Sequence, residues 1–550
     1  MDKQLGRVGI ATEVAHPIPI NALTGLRFIA ALSVLVGHAA AGVMTFEPPA
    51  AFVGYFRQGP SIGMPLFFVL SGFVIHYNYG ASFRIASLNA TVDFFIARFA
   101  RLYPLYLLLL IFYLFNYRLL PGILTHNFDI AILPRYLLLW QSWLLEYRGT
   151  TWFGHLLLPP AWSISVEVFF YALYPLIGPN LVDIKSSRKL ILFFAVLVSS
   201  FWLMDVLCYW NFDALRVWGN ETFHIDADPQ NALLGWLLNT GPIGRLFEFM
   251  TGAVAAQALI VLHPYEPSVG EHRAGVTALY ATVLLALALY ILTQHNSLIA
   301  FMGTYPGGLA PLFAIIIFCA SRYESGLSRL LGSTPMLKLG DASYSIYLIH
   351  LFTLQLFSLI VAFPPSRANY VVWLLTMLGA IFFTIILSLG LYQVFEAPAR
   401  TFLRRRLHAC KAKIFGVQIR AKRFSAVHCT VVGVILSALF VFWNWPKTSI
   451  IEVFDATYGE SCKNVSPPAP ALNIFKRGNA TDTVKQLCAG KDTCSFQVNV
   501  NRIGDPVPGC AKDFQITYSC RSNSTPTSQT VKAEAHGQTV VIDCSSKGAK

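Results

Sequence analysis

Two side chains inside one apolar run set the chemical question. From Leu23 to Met44 the chain reads Leu-Thr-Gly-Leu-Arg-Phe-Ile-Ala-Ala-Leu-Ser-Val-Leu-Val-Gly-His and onward, interrupted by one guanidinium, Arg27, and one imidazole, His38. On a helix, eleven residues make about three turns plus roughly 20°, so both side chains leave the same face about 16 Å apart along the axis. They can line one cavity. Ionisable groups in a stretch of membrane length are costly in hydrocarbon, so they face the protein interior or water and mark a candidate site. An uncharged imidazole accepts a proton and a guanidinium holds an anion. The plainer alternatives are an arginine reaching the interface along its aliphatic stem and a histidine satisfied by helix packing. A secretory leader cleaved near Ala41 fits less well, because the run continues past that point.

Other polar groups recur at helical spacing. Arg98 and Arg101 share a face at i, i+3, which suits a phosphate clamp or a positive anchor at the cytoplasmic boundary. Trp162-Ser163-Ile164-Ser165-Val166-Glu167 continues to Tyr171, so Ser163, Glu167 and Tyr171 fall on one face, where the carboxylate could orient an imidazole or accept a sugar hydroxyl. Arg245 and Glu248 read as an intrahelical ion pair. Tyr344, Tyr347 and His350 follow one face of a later apolar run, with His350 a packing histidine or a second base. No spacing of metal ligands and no glycine-rich phosphate loop is visible, so neither a metal nor a bound cofactor is expected.

These groups must be positioned by membrane helices. The chain has 550 residues, 55% hydrophobic and only 13% charged, which is too apolar for a soluble enzyme of this length. Its net charge of +13 follows from cytoplasmic loops that collect Lys and Arg, and it does not require a nucleic-acid partner. Spanning runs are expected at about 23–44, 62–79, 102–117, 161–180, 189–209, 245–262, 274–293, 306–320, 339–362, 370–395 and 426–445. The loop charges place the N-terminal segment, 1–20, in the cytoplasm of a multi-pass cell-membrane protein. A basic cytoplasmic linker at 401–425, suited to anionic lipid, then precedes the eleventh span.

Past Trp445 the texture changes to short alternating segments and turns, so 451–545 is expected to be a small, mainly β domain outside the membrane, periplasmic or extracellular. Cys462, Cys488, Cys494, Cys510, Cys520 and Cys544 would staple it, in any of fifteen pairings.

Seven strings occur together in one order. They are Arg27 with His38, Phe67-Phe-Val-Leu-Ser-Gly-Phe73, Arg98-x-x-Arg101-Leu-Tyr-Pro104, Trp162-Ser-Ile-Ser-Val-Glu167, Arg245-Leu-Phe-Glu248-Phe249, Ser343-Tyr-Ser-Ile-Tyr-Leu-Ile-His350 and Glu396-Ala-Pro-Ala-Arg400. Over 21–400 they resemble the acyltransferase family 3 membrane proteins. The resemblance implies transfer of an acetyl or other short acyl group from cytoplasmic acyl-CoA, acetyl-CoA first, to a glycan or lipid-linked acceptor across the membrane. It makes His38 the essential histidine, Arg27 its partner, and Arg98 with Arg101 the contacts of the CoA phosphates. Met64-Pro65 departs from the Val-Asp pair that members often carry.

The tail, through Ala456-Thr-Tyr-Gly459, Cys488-Ala-Gly-Lys-Asp-Thr-Cys494, Gly504-Asp-Pro-Val-Pro-Gly-Cys510-Ala-Lys512 and Ile516-Thr-Tyr-Ser-Cys520, is similar to galactose- and rhamnose-binding lectin domains of SUEL type. That likeness implies sugar contacts from Tyr458, Asp505 and Lys512, although Glu460 stands where arginine is usual.

The expected protein is therefore a polytopic O-acyltransferase with His38 as base and Glu167 steadying it. Arg27 stands on the donor side, and a glycan or polysaccharide acceptor is retained by the lectin-like domain. Acylation of a lipid or small secreted molecule is the enzymatic alternative, and a glycan exporter or lectin-bearing receptor the non-enzymatic one.

Overall fold

The computed structural model describes residues 20–41, 56–84, 88–116, 132–145, 147–148, 151–152, 157–223, 232–293, 298, 301, 308–361, 370–415, 451–462, 477–488, 493–500, 510–520 and 526–544. The chain divides into two compact units, 1–429 and 430–550. The first is helical. Its main elements are α1 (Asn21–Ala40), α2 (Gly59–Arg84), α3 (Leu88–Asn116), α4 (Trp162–Val182), α5 (Ser187–Trp210), α6 (Pro242–Leu262), α7 (Val269–Leu292), α8 (Ala310–Arg322), α9 (Gly326–Leu331), α10 (Thr334–Asp341), α11 (Ser343–Ile360), α12 (Tyr370–Leu391) and α13 (Ala397–Phe415). Among the described residues, eight helical stretches are long and apolar enough to cross a membrane, the cores of α1 to α7 and the continuous α12–α13 run.

α1 is the central helix. It is apolar around most of its circumference and buries Leu23, Leu26, Phe28, Ala31, Val34 and Leu35 against α2, α10, α11 and α12, which leaves Arg27 and His38 as its cavity-lining polar groups. Close approach is bought with glycine. A Cβ on Gly72 of α2 would meet the Phe249 carbonyl of α6, and one on Gly252 of α6 would meet the Val69 carbonyl, so these two backbones touch reciprocally. α5 and α7 do the opposite. They expose Ile191, Leu192, Leu203 and Trp210, and Leu284, Leu287 and Ile291, apolar surface that is stable against lipid rather than water. The first unit is a multi-pass membrane protein.

Several boundaries differ from the sequence reading. The third expected run begins at Leu88, which puts Arg98 and Arg101 inside α3 instead of before it. The run at 306–320 forms α8, whose thirteen residues rise about 20 Å against roughly 30 Å of hydrocarbon. The run at 339–362 breaks after Asp341, where Ala342 alone separates the short α10 from α11. Part of the basic linker, 401–415, continues the helix beyond a π turn at Tyr392–Glu396. The N-terminal segment and the eleventh span, 426–445, lie outside the described residues.

The second unit is mainly β, as its alternating texture implies. β1 (Ile451–Tyr458), β3 (Phe514–Cys520) and β4 (Thr527–Val531) form an antiparallel sheet in the order β1-β3-β4; β2 (Thr493–Gln497) pairs with β5 (Thr539–Asp543). Period-two alternation turns Cys494, Phe496, Val540 and Ile542 inward, where they join Ile451, Val453, Phe514 and Ile516. Of the fifteen pairings the fold selects Cys462–Cys510, Cys488–Cys494 and Cys520–Cys544.

Candidate active site

The polar groups of the first unit collect in two cavities rather than the single one expected. The first is a narrow cleft of about 70 Å³ beside the N-terminal half of α1. Arg27 enters it from α1, Arg98 and Arg101 from α3, and Glu167 with Tyr171 from α4. Three guanidinium groups face one carboxylate, so the cleft carries excess positive charge in a low-dielectric setting and favours an anion. The i, i+4 spacing on α4 lets the Tyr171 hydroxyl donate to Glu167 Oε2 at 2.8 Å. Arg98 donates through Nη2 to the Tyr79 hydroxyl at 3.2 Å and stacks over the Tyr79 ring at 5.1 Å, while its Nε is buried without a hydrogen-bond partner among the described residues.

The second cavity, of about 490 Å³, opens beside the last turn of α1 and has the size of an ordinary small-molecule site. His38 and His350 share its wall. His38 Nδ1 lies 3.0 Å from the Val34 carbonyl and 3.2 Å from His350 Nε2. His350 Nδ1 lies 2.5 Å from the Tyr347 carbonyl. Arg245 closes another side. It is fully buried between the rings of Phe68 and Trp162, donates from Nη1 to Glu248 at 2.6 Å and from Nε to the Asn239 carbonyl at 2.5 Å, and reaches the Asn239 side chain through Nη2. Asn239 is presented by a π turn, Gly235–Thr240, immediately before α6.

Met64 and Tyr347 line both cavities. Tyr347 is fixed there, because its hydroxyl donates to the Pro160 carbonyl at 2.9 Å and meets Ser163 Oγ at 2.7 Å. Arg27 and His38 thus sit in adjoining cavities that meet at one methionine and one tyrosine.

The structure relocates one other expected residue. Glu167 is in the arginine cleft instead of beside the histidine, because one further helical turn carries it away from Ser163 at the mouth of α4. The group that meets His38 is His350. Ser165 is buried with its hydroxyl accepting from the Ser142 amide at 3.2 Å, a bond that ties the preceding loop to α4. Trp162, Ser163, Tyr171, Arg245 and Tyr347 all line one cavity or the other; Glu248 stands behind Arg245. Asn239, Tyr79 and the shared Met64 were not anticipated. A fully buried set, Tyr174–His76–Gln257, also escaped the reading, and it joins α2, α4 and α6 through 2.9 Å bonds at both ring nitrogens of His76. Among the described residues no group of three or more His, Cys, Asp or Glu is placed to hold a metal ion.

In the second unit Tyr458 is buried in the sheet core, and Lys512 is buried with its Nζ donating to the Cys510 carbonyl at 2.8 Å. Asp505, the third residue the lectin likeness names, lies outside the described residues.

A family model described as an acyltransferase domain matches residues 20–393, the stretch that builds both cavities. The chain belongs to acyltransferase family 3. This chain is 25% identical over 453 residues to the "Putative peptidoglycan O-acetyltransferase YrhL" of Bacillus subtilis (strain 168), covering 78% of this chain and 62% of the relative. It is 28% identical over 353 residues to the acyltransferase MdmB of Streptomyces mycarofaciens, covering 62% and 80%. Against the peptidoglycan O-acetyltransferase OatA of Listeria monocytogenes it is 24% identical over 346 residues, covering 60% of this chain and 49% of the relative. It thus spans about three fifths of the first relative and half of the third. No solved structure matches.

Proposed function

We propose that the protein is an integral-membrane O-acetyltransferase that moves an acetyl group from cytoplasmic acetyl-CoA to a hydroxyl of a cell-surface glycan. The observation that carries this reading is the pair of adjoining cavities, one cationic and one histidine-lined, whose common wall is Met64 and Tyr347. A thioester carried on a phosphorylated donor suits the cleft of Arg27, Arg98 and Arg101, and a sugar hydroxyl suits the larger cavity. Two of the relatives carry peptidoglycan O-acetyltransferase in their names, which supports a glycan acceptor.

In the reaction, the acceptor oxygen bonds to the acetyl carbonyl carbon while its proton passes to His38. The carbon–sulfur bond breaks, and the departing thiolate receives the proton. The arginine cleft is far below the roughly 300 Å³ of an ordinary ligand site. Entry of a pantetheine arm therefore requires side chains such as Met64 to move. The N-terminus is cytoplasmic and the tail external in this reading, because the donor is made inside the cell. The disulfides accord with an oxidising compartment.

The test is acetyl-CoA consumption by the purified protein, with thiol release and acetyl mass gain on glycan strands measured together. Thiol release that depends on added glycan and is lost in His38→Ala supports the reading. Turnover retained in His38→Ala removes His38 as the base, and no turnover with any glycan or lipid acceptor favours an exporter. We further propose that the tail retains polymeric acceptors by raising their local concentration, without touching the chemistry. Deleting 451–550 should then impair acylation of long strands and spare short ones; equal loss or equal retention rejects that role.

A further inference from the structure

We propose that His350 is the positioning residue for His38, holding it in the tautomer that leaves the lone pair on Nε2. The inference rests on the reading of His38 as proton acceptor and goes beyond it. A backbone carbonyl can only accept, so a neutral ring nitrogen facing one carries the hydrogen. His350 Nδ1 faces the Tyr347 carbonyl at 2.5 Å, and it therefore donates. The remaining nitrogen, His350 Nε2, then presents a lone pair, and it points at His38 Nδ1 across 3.2 Å. His38 Nδ1 also faces the Val34 carbonyl at 3.0 Å, so this nitrogen carries the hydrogen and shares it between two acceptors. What is left on His38 is the lone pair of Nε2.

The chain of donors thus runs in one direction, from His38 Nδ1 to His350 Nε2 and from His350 Nδ1 to Tyr347 O. Reversing it would aim a hydrogen at a hydrogen at the centre or leave a carbonyl facing a lone pair. His350 is 1% exposed, and both of its ring nitrogens have a protein partner. When His38 takes the acceptor's proton at Nε2 its ring becomes a cation, and the His350 lone pair lies against the Nδ1–H of that cation. The role first expected of Glu167 belongs to a second histidine on α11, 312 residues along the chain. Its own orientation comes from the turn containing Tyr347, the residue in the wall between the cavities.

The test compares His350→Gln, His350→Asn and His350→Leu in the full-length protein. A glutamine extends an amide oxygen to about where Nε2 stands, whereas an asparagine places it near Nδ1, one bond short of His38. Positioning predicts that His350→Leu and His350→Asn lower kcat by about 10- to 100-fold, the cost of removing a histidine's outer partner at metal sites, with the donor KM within about twofold. His350→Gln should recover at least about tenfold of that loss. Melting temperatures identify any variant that fails to fold; if His350→Leu does, the Gln and Asn pair decides alone. Equal kcat in Gln and Asn, or a change in KM without one in kcat, overturns the proposal. Failure of the base reading looks different, since His38→Ala would then retain turnover whatever stands at 350.

Discussion

Removing the carboxylate alone from the buried Arg245–Glu248 pair should strand a charge, so the costs of losing each partner should not add when both are lost. The two side chains are 2% and 0% exposed and meet at 2.6 Å. Glu248→Gln keeps an oxygen for Arg245 Nη1 but leaves a guanidinium that cannot shed its proton, an uncompensated buried charge that costs about 3–5 kcal/mol. Arg245→Met leaves a carboxyl that can take up a proton and become neutral, so its cost should be smaller. It also frees the two oxygens of Asn239, each worth about 1–3 kcal/mol if water from the cavity does not reach it. The double variant loses both charges together, and what remains is the cost of neutral polar atoms left unpaired, the Asn239 oxygens and the glutamine amide. We therefore expect the double variant to cost less than the sum of the two single costs, with a coupling of about 2–3 kcal/mol. The assay is reversible denaturation by dodecyl sulfate in bicelles, with acetyl transfer measured on each variant. A double variant whose cost equals the sum of the single costs would refute the argument, as would Glu248→Gln costing under about 1 kcal/mol. If Arg245 also contacts the acceptor, the double variant should be stable and slow.

Three further outcomes follow from the same contacts. Arg27→Ala, and separately Arg98→Ala with Arg101→Ala, should raise the donor KM about tenfold or more, since each removes a charge-assisted contact; unchanged donor kinetics would return these residues to topology anchors. Gly72→Ala should cost about 1–3 kcal/mol in the same unfolding assay, because its methyl meets the Phe249 carbonyl, whereas Gly390→Ala on α12, with nothing within 4 Å, should be neutral or stabilising; equal effects would refute the close crossing of α2 and α6. Replacing Cys462 and Cys510 by alanine opens a 48-residue separation and should cost the tail about 4 kcal/mol by loop entropy, against about 2 for Cys488 and Cys494 at separation 6; limited proteolysis of the full-length protein should release the tail more readily in the first case, and the reverse order would refute the estimate.

The helical membrane core and the stapled β tail were legible because both announce themselves in composition and period. Long apolar runs need no partner to be recognised, and alternation in Ser495-Phe496-Gln497 or Phe514-Gln515-Ile516 gives strands directly. The cationic cleft was half legible. Each arginine was visible as a charge in an apolar context, and the spacing put Arg98 and Arg101 on one face, yet nothing local says that Glu167 joins them. Helix boundaries failed where hydropathy and hydrogen bonding part company. Arg98 and Arg101 are unfavourable in hydrocarbon but ordinary in a helix, so hydropathy began the third span too late while the backbone ladder of α3 ran through them.

The misassigned partner of His38 shows what kind of information was lacking. Sequence spacing constrains neighbours one or two turns apart, and on that basis Glu167 was a fair candidate for any imidazole on its level. The axial position of that level depends on where α4 starts, and the loop before it decides this. Gln141 and Ser142 donate to the Ala161 and Trp162 carbonyls, and Trp143 to that of Ser165, at 2.9–3.1 Å. These bonds hold the first turn of α4 in place, with Ser163 at the wall beside Tyr347 and Glu167 one turn further along, at the depth of Arg27. One turn is about 5.4 Å, longer than any hydrogen bond. A short polar loop with no motif of its own thus separates the carboxylate from the histidine and leaves that place to His350.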